Sequence, residues 1–170
     1  MPTRYSGSSE HAMNFGLHLI PQEITVDELI RTWKWADSAG FDWIDVSDHF
    51  YEAPMIRGGD APCFEALTGM AALACHTTNC RVGVVVLGMN YRHPAVVANA
   101  LCTIDHLSGG RLEIGLGAGW HEAEYRAYGI PFRPIKERLD ILEEGIQSLQ
   151  PDVSASERGK RVARLLDQDR

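Results

Sequence analysis

Four short apolar runs alternate with four longer segments of helical period along the first 150 residues. Residues 14–20 read as a strand. Thr25 followed by Glu28 has the form of a capping box. Val26, Leu29, Ile30, Trp33 and Ala36 then fall on one face of a helix that Gly40 ends. Residues 42–48 are the second strand, and residues 52–62 make a loop rich in Gly, Pro and Asp. Residues 63–76 are alanine- and leucine-rich and predict a helix. Residues 81–87 are almost continuously β-branched, the pattern of a strand covered on both faces. Pro94 suits the first turn of a third helix, which Ser108-Gly109-Gly110 stops. Residues 112–116 are the fourth strand. After an irregular loop, Ile135, Leu139, Leu142, Ile146 and Leu149 mark the inward face of a fourth helix.

Strands and helices in strict alternation imply an α/β fold with a parallel sheet and right-handed crossovers. Two architectures fit: an open doubly wound sheet, or part of a (β/α)8 TIM barrel. In both, ligands bind at the carboxyl ends of the strands. Asp48 and His49, Gly88 and Asn90, and the run Gly117-Ala118-Gly119-Trp120 all stand at such ends. A full barrel takes about 250 residues, so four units amount to about half of one. The expected organisation is a disordered lead-in over 1–13, the (β/α)4 half barrel over 14–150, and a polar tail over 151–170. That tail carries a weak stripe of Val162, Leu165 and Leu166.

Composition narrows the partners. The net charge of −7 argues against a nucleic-acid or anionic-membrane surface. No apolar run reaches the ~18–20 residues that span a bilayer, and the first residues lack an apolar signal core. A cytoplasmic location is the expectation. The four cysteines include no C-x-x-C pair, and Cys75 and Cys102 are expected to be buried thiols. His121 and Glu124 alone give too few ligands for a metal, so none is expected.

The candidate chemistry lies at the strand ends. Asp48 beside His49 suits a carboxylate that holds an imidazole in one tautomer, with the imidazole exchanging a proton near neutral pH. The plain alternative is that Asp48 caps the following turn and His49 is solvated. Gly117 and Gly119 lack a Cβ, which lets a planar ligand approach the backbone. Trp120 either stacks on such a ring or packs the loop. His93 before Pro94 reads as local structure, Asp45 and Asp105 as structural acceptors, and Trp33 with Trp35 as helix packing.

Four segments stand in a recognisable order: residues 43–50, 91–98, 107–112 and 115–120. Together they resemble the luciferase-like monooxygenase family, and more closely its branch that uses the 5-deazaflavin coenzyme F420. The likeness runs from about residue 15 to 150. It implies a barrel that carries a deazaflavin, or alternatively FMN, at the strand ends and performs two-electron chemistry on a small organic substrate. With FMN, monooxygenation would be the expectation. The resemblance places Asp48 and His49 beside the ring system. It puts a non-proline cis peptide near Val84-Val85-Val86, with Val85 against the ring, and Gly117, Ala118 and Gly119 as backbone close to the cofactor. A branch that oxidises sugar phosphates carries a carboxylate directly after the glycine turn. Trp120 stands there instead, which disfavours that activity. The family uses later strands to hold the cofactor's phosphate, so the chain reads as a truncated N-terminal half. Two other classes stay open: a non-catalytic half-barrel subunit that closes with a second copy or a complementary chain through open sheet edges, and a metal-dependent hydrolase on a similar barrel.

Overall fold

A computed structural model describes residues 13–50 and 63–149. The lead-in, the 52–62 loop and the polar tail expected from the sequence lie outside the described residues, apart from Met13. The order is β1 (Gly16–Leu19), α1 (Val26–Ala39), β2 (Trp43–Val46), α2 (Ala66–His76), β3 (Arg81–Gly88), α3 (Pro94–Ser108), β4 (Leu112–Gly117), α4 (Glu122–Ala127) and α5 (Ile135–Leu149). The four strands are parallel and lie in sequence order, β1-β2-β3-β4. A doubly wound sheet reverses its strand order at a switch point; this sheet does not. The fold is therefore the consecutive (β/α) arrangement of about half a TIM barrel.

Local chemistry sets the helix ends. Thr25 and Glu28 form the reciprocal capping box at the start of α1. Gly40 and Gly109 close α1 and α3 in the left-handed conformation. Pro94 opens α3, where His93 Nδ1 accepts from the Ala95 N–H at 3.2 Å, so His93 is local structure.

Register separates the two faces of the sheet. Leu17, Ile44, Val82 and Leu112 stand in one row and pack towards the helices. With Val46, Val84 and Leu87 they meet Trp33, Met70, Leu73, Val97, Leu101 and Ile104 in a single core. The neighbouring row is His18, Asp45, Gly83 and Glu113. Asp45 is buried and bonds His18 Nδ1, the structural role expected of it. This second face has no covering layer among the described residues.

Two polar stitches hold the turn between α2 and β3. The Asp37 carboxylate accepts the N–H groups of Thr78, Asn79 and Cys80 at 2.7–3.0 Å. Burial pushes its carboxyl up, but these bonds outweigh it and hold it well below the usual range. Arg111 donates to the carbonyls of Ala74, Thr77, Cys80 and Ser108. The arginine after Ser108-Gly109-Gly110 is thus a clamp on the strand's amino end, far from the ligand end.

Several expectations are corrected. β3 is covered on one face only, since Val85 and Val86 are 55% and 46% exposed. The loop after β4 contains a helix, α4. On α5 the inward line is Arg138, Leu142, Gly145 and Leu149, while Ile135, Leu139 and Ile146 face outward. Arg138 displaces the apolar stripe because it bonds the Gly119 and Arg133 carbonyls and lies over the Phe132 ring. Trp33 is buried but Trp35 is exposed. Cys75 and Cys102 are exposed and Cys80 is the buried thiol, because α2 and α3 turn those two positions away from the sheet. No helix among the described residues is long and apolar enough to cross a membrane.

Candidate active site

β2 and β3 end beside the turn that follows β4, and a cavity of about 320 Å³ opens there. Asp48, His49, Val85, Gly88, Gly117, Ala118, Gly119 and Trp120 line it, joined by Val86 and Tyr91. Asn90, also expected at the site, is set behind it. Its amide donates to the Ala118 carbonyl at 3.1 Å and the Arg138 carbonyl at 3.3 Å, bracing the turn from below. The peptide between Val85 and Val86 is cis, where the family resemblance placed one. The β3–β4 register shifts between Val84 and Leu87, which brings both valine side chains to the cavity.

The glycines serve the protein's own packing as well as open space. Gly119 has φ +70°, and a Cβ there would lie 2.0 Å from the Tyr125 hydroxyl oxygen. A Cβ on Gly117 would lie 2.6 Å from Val86 Cγ2. The room expected for a planar ligand is therefore shared with Tyr125 and Val86.

The polar pairing differs from the expected one. Asp48 is buried, but it does not hold the His49 ring. It makes a two-pronged pair with Arg92 at 2.7 Å for each bond and accepts the Gly88 N–H at 2.9 Å. Arg92 also reaches Glu65 at the start of α2, at 2.5 Å. Asp48 thus ties the end of β2 to the end of β3. The carboxylate on His49 is Glu124 of α4, which is fully buried. Its oxygens stand 3.0 and 3.1 Å from His49 Nδ1. They also accept the Phe50 N–H at 3.0 Å and the Tyr91 hydroxyl at 2.8 Å.

The electrostatics follow from this arrangement. The bond from Glu124 raises His49 above its ordinary value; burial opposes that, and the negative charge of Asp48 adds to it. Burial pushes the Glu124 carboxyl up, but the bonds from His49, Tyr91 and Phe50 win and hold it low. Burial and the same carboxylate push the Tyr91 phenol far up. Phe50, Tyr91 and Tyr125 rings pack at 4.7–4.8 Å between centroids, keeping water from the carboxylate. Trp120 is half exposed, stacked on His121 at 5.0 Å and edge-on to His49 at 5.8 Å.

Sequence reasoning assigns no role to Arg92 or Tyr91, and it offers Glu124 only as a possible metal ligand beside His121, not as the partner of His49. Glu124 carries a signal only if residues 122–127 are read as a helix that turns its fourth position inward. His49, His121 and Glu124 also bring possible ligand atoms within 4.8 Å of one another, which adds His49 to the pair visible in sequence. Both Glu124 oxygens, however, already accept hydrogen bonds that a cation would displace.

Residues 8–157 match the luciferase-like monooxygenase family. An F420-dependent glucose-6-phosphate dehydrogenase of Amycolatopsis mediterranei (strain U-32) is 37% identical over 72% of this chain. The chain spans only 36% of that relative's length. The coenzyme F420-dependent tetrahydromethanopterin reductase of Methanopyrus kandleri superposes with a TM-score of 0.57 at 26% identity, over 70% of this chain and 30% of the reductase. The FMN-bound oxygenating constituent of 3,6-diketocamphane monooxygenase from Pseudomonas putida gives a TM-score of 0.66 at 23% identity. That match covers 82% of this chain and 39% of the other, and it speaks for the fold alone. Matched over most of its length, with sequential parallel strands and a cavity at their carboxyl ends, the chain belongs to the luciferase-like monooxygenase family.

Proposed function

We propose that this chain forms the cofactor-facing segment of a two-electron oxidoreductase acting on a small organic substrate. One observation carries the reading. An imidazole backed by a buried carboxylate, two half-exposed valines on β3 and a backbone turn of small residues converge on one cavity. Relatives named for coenzyme F420 support it. The residues fit a ring system. Val85 and Val86 offer an apolar wall, and Gly117 to Gly119 offer backbone beside it. A volume of about 320 Å³ is at the low end for small-molecule pockets, suited to a ring rather than a whole cofactor. The lining among the described residues is apolar, aromatic and backbone apart from Asp48 and His49, which suits a ring system.

A bound deazaflavin supplies hydride transfer through its ring carbon, and FMN would add oxygen chemistry. The chain's own residues orient, shield and move protons. His49 holds or releases a proton at the cavity, because Glu124 stabilises its charged form. Asp48, clamped by Arg92, ties the ends of β2 and β3 together and adds negative charge at the cavity. Trp120 puts an indole at the rim of the cavity, the position at which the family resemblance implies a carboxylate for the branch that oxidises sugar phosphates. The substrate is of the class of small organic molecules, and F420 is preferred to FMN because the more similar relatives are named for it. Titrating the purified chain with each cofactor tests this. A saturable fluorescence change at tens of micromolar supports it, and no change with either sinks it.

A second reading is a half barrel that acts only when completed by a second copy or a complementary chain. The uncovered sheet face favours it, where a further hollow of about 520 Å³ exposes Val85 and Ile114. Sedimentation separates the two: a defined dimer or a stoichiometric complex is the mark of the second.

A further inference from the structure

We propose that Glu124 sets the proton position on His49: it takes the hydrogen of Nδ1 and leaves Nε2 as the nitrogen that serves the cavity. Asp48 is the adjacent carboxylate in sequence, yet its oxygens are filled by Arg92 and the Gly88 N–H. Glu124 reaches across 75 residues of chain to the same nitrogen with both oxygens, at 3.0 and 3.1 Å. The carboxylate is itself locked by the Phe50 N–H and the Tyr91 hydroxyl. A ring nitrogen facing a buried anion carries the proton in both charge states of the imidazole, so the other nitrogen gains and loses it. The groups facing His49 are Glu124 on α4, His121 before it, Asp48 at the end of β2 and Tyr91 after β3, with Arg92 behind Asp48. Of these carboxylates, only Glu124 bonds the ring. Glu124 is thus a positioning residue, distinct from the wall of the pocket, which it does not line.

The purpose of this device rests on the redox reading, but its test needs no cofactor, so the two fail separately. Nitrogen-15 histidine spectra of the whole chain, with His49 assigned by loss of its signal in His49→Asn, report the tautomer directly. A neutral His49 protonated on Nδ1 is expected; protonation on Nε2 overturns the proposal, whether or not any variant folds. In Glu124→Gln the imidazole titration moves to lower pH than in the parent, and an unmoved midpoint overturns the proposal. Tyr91→Phe controls for structural disturbance: its unfolding midpoint falls while His49 keeps the parent tautomer, and a tautomer lost there as well overturns the assignment to Glu124. Zinc added to one equivalent that shifts His49 and His121 together would replace the device with a metal centre.

Discussion

His49 comes from the end of one strand and its carboxylate from a helix far along the chain, and the pH dependence of stability follows from that pairing. His49 is raised in the fold, so its contribution is complete below its ordinary value of 6.5 and is lost as pH climbs through the raised one. Glu124 is lowered, so its contribution is present above its ordinary 4.5 and is lost as pH falls through the folded value. The stability difference between parent and Glu124→Gln in urea is therefore expected to be largest in mild acid, at about pH 5–6, and smaller at about pH 9. At the glycine turn, Gly119→Ala forces a side chain into a positive φ and against Tyr125. A loss of about 1–3 kcal/mol in urea unfolding is expected. Tyr125→Phe behaves oppositely. The Tyr125 hydroxyl is buried with no hydrogen-bond partner among the described residues, so its removal is expected to leave stability within about 0.5 kcal/mol or raise it.

Among the elements, the joint between α2 and β3 carries the heaviest polar load. Arg111→Ala strands the carbonyls of Ala74, Thr77 and Cys80, and a loss of about 3 kcal/mol is expected from charged bonds of this kind. Arg111→Lys keeps the charge but not the fork, and thermal unfolding is expected to place it between parent and Ala. Much of this level was legible in the sequence. Thr25 with Glu28, Gly40, Pro94 and Gly109 act locally, so their effect needs no tertiary knowledge. The strand ends carrying Asp48, Gly88 and Gly117 were legible for the same reason. What escaped reading was set by partners distant in sequence. Glu124 is a charged residue in a buried place, and its donors come from β2 and the segment after β3. Arg138 takes an inward position on α5 because the Gly119 carbonyl waits there, and hydrophobic periodicity assigns that face to Ile135 and Leu139. Asp48 and His49 are neighbours in sequence, yet Arg92 claims the carboxylate.

Across the molecule, one face of a parallel sheet is packed by helices and the other is open among the described residues. Val85 and Val86 are 55% and 46% exposed there, Ile114 on the edge strand β4 is 40% exposed, and Ile135, Leu139 and Ile146 form an outward stripe on α5. Apolar area of that kind together with unpaired strand edges favours association. Concentration-dependent sedimentation of the chain is expected, and a strictly monomeric chain at high concentration would remove the form of the half-barrel reading in which a second copy completes the barrel. The open face is also what leaves the strand ends accessible, since Val85 borders both the cavity and the wider hollow. On the proposed reading this rim, and no other surface of the described residues, receives the cofactor ring. Val85→Trp fills the rim from an exposed position and leaves the core alone. The most direct measurement is a paired fluorescence titration of coenzyme F420 with the parent chain and with Val85→Trp, at matched thermal midpoints. Saturable binding by the parent that is lost in Val85→Trp is the expected result, and equal binding by both chains, or none by the parent, would contradict it.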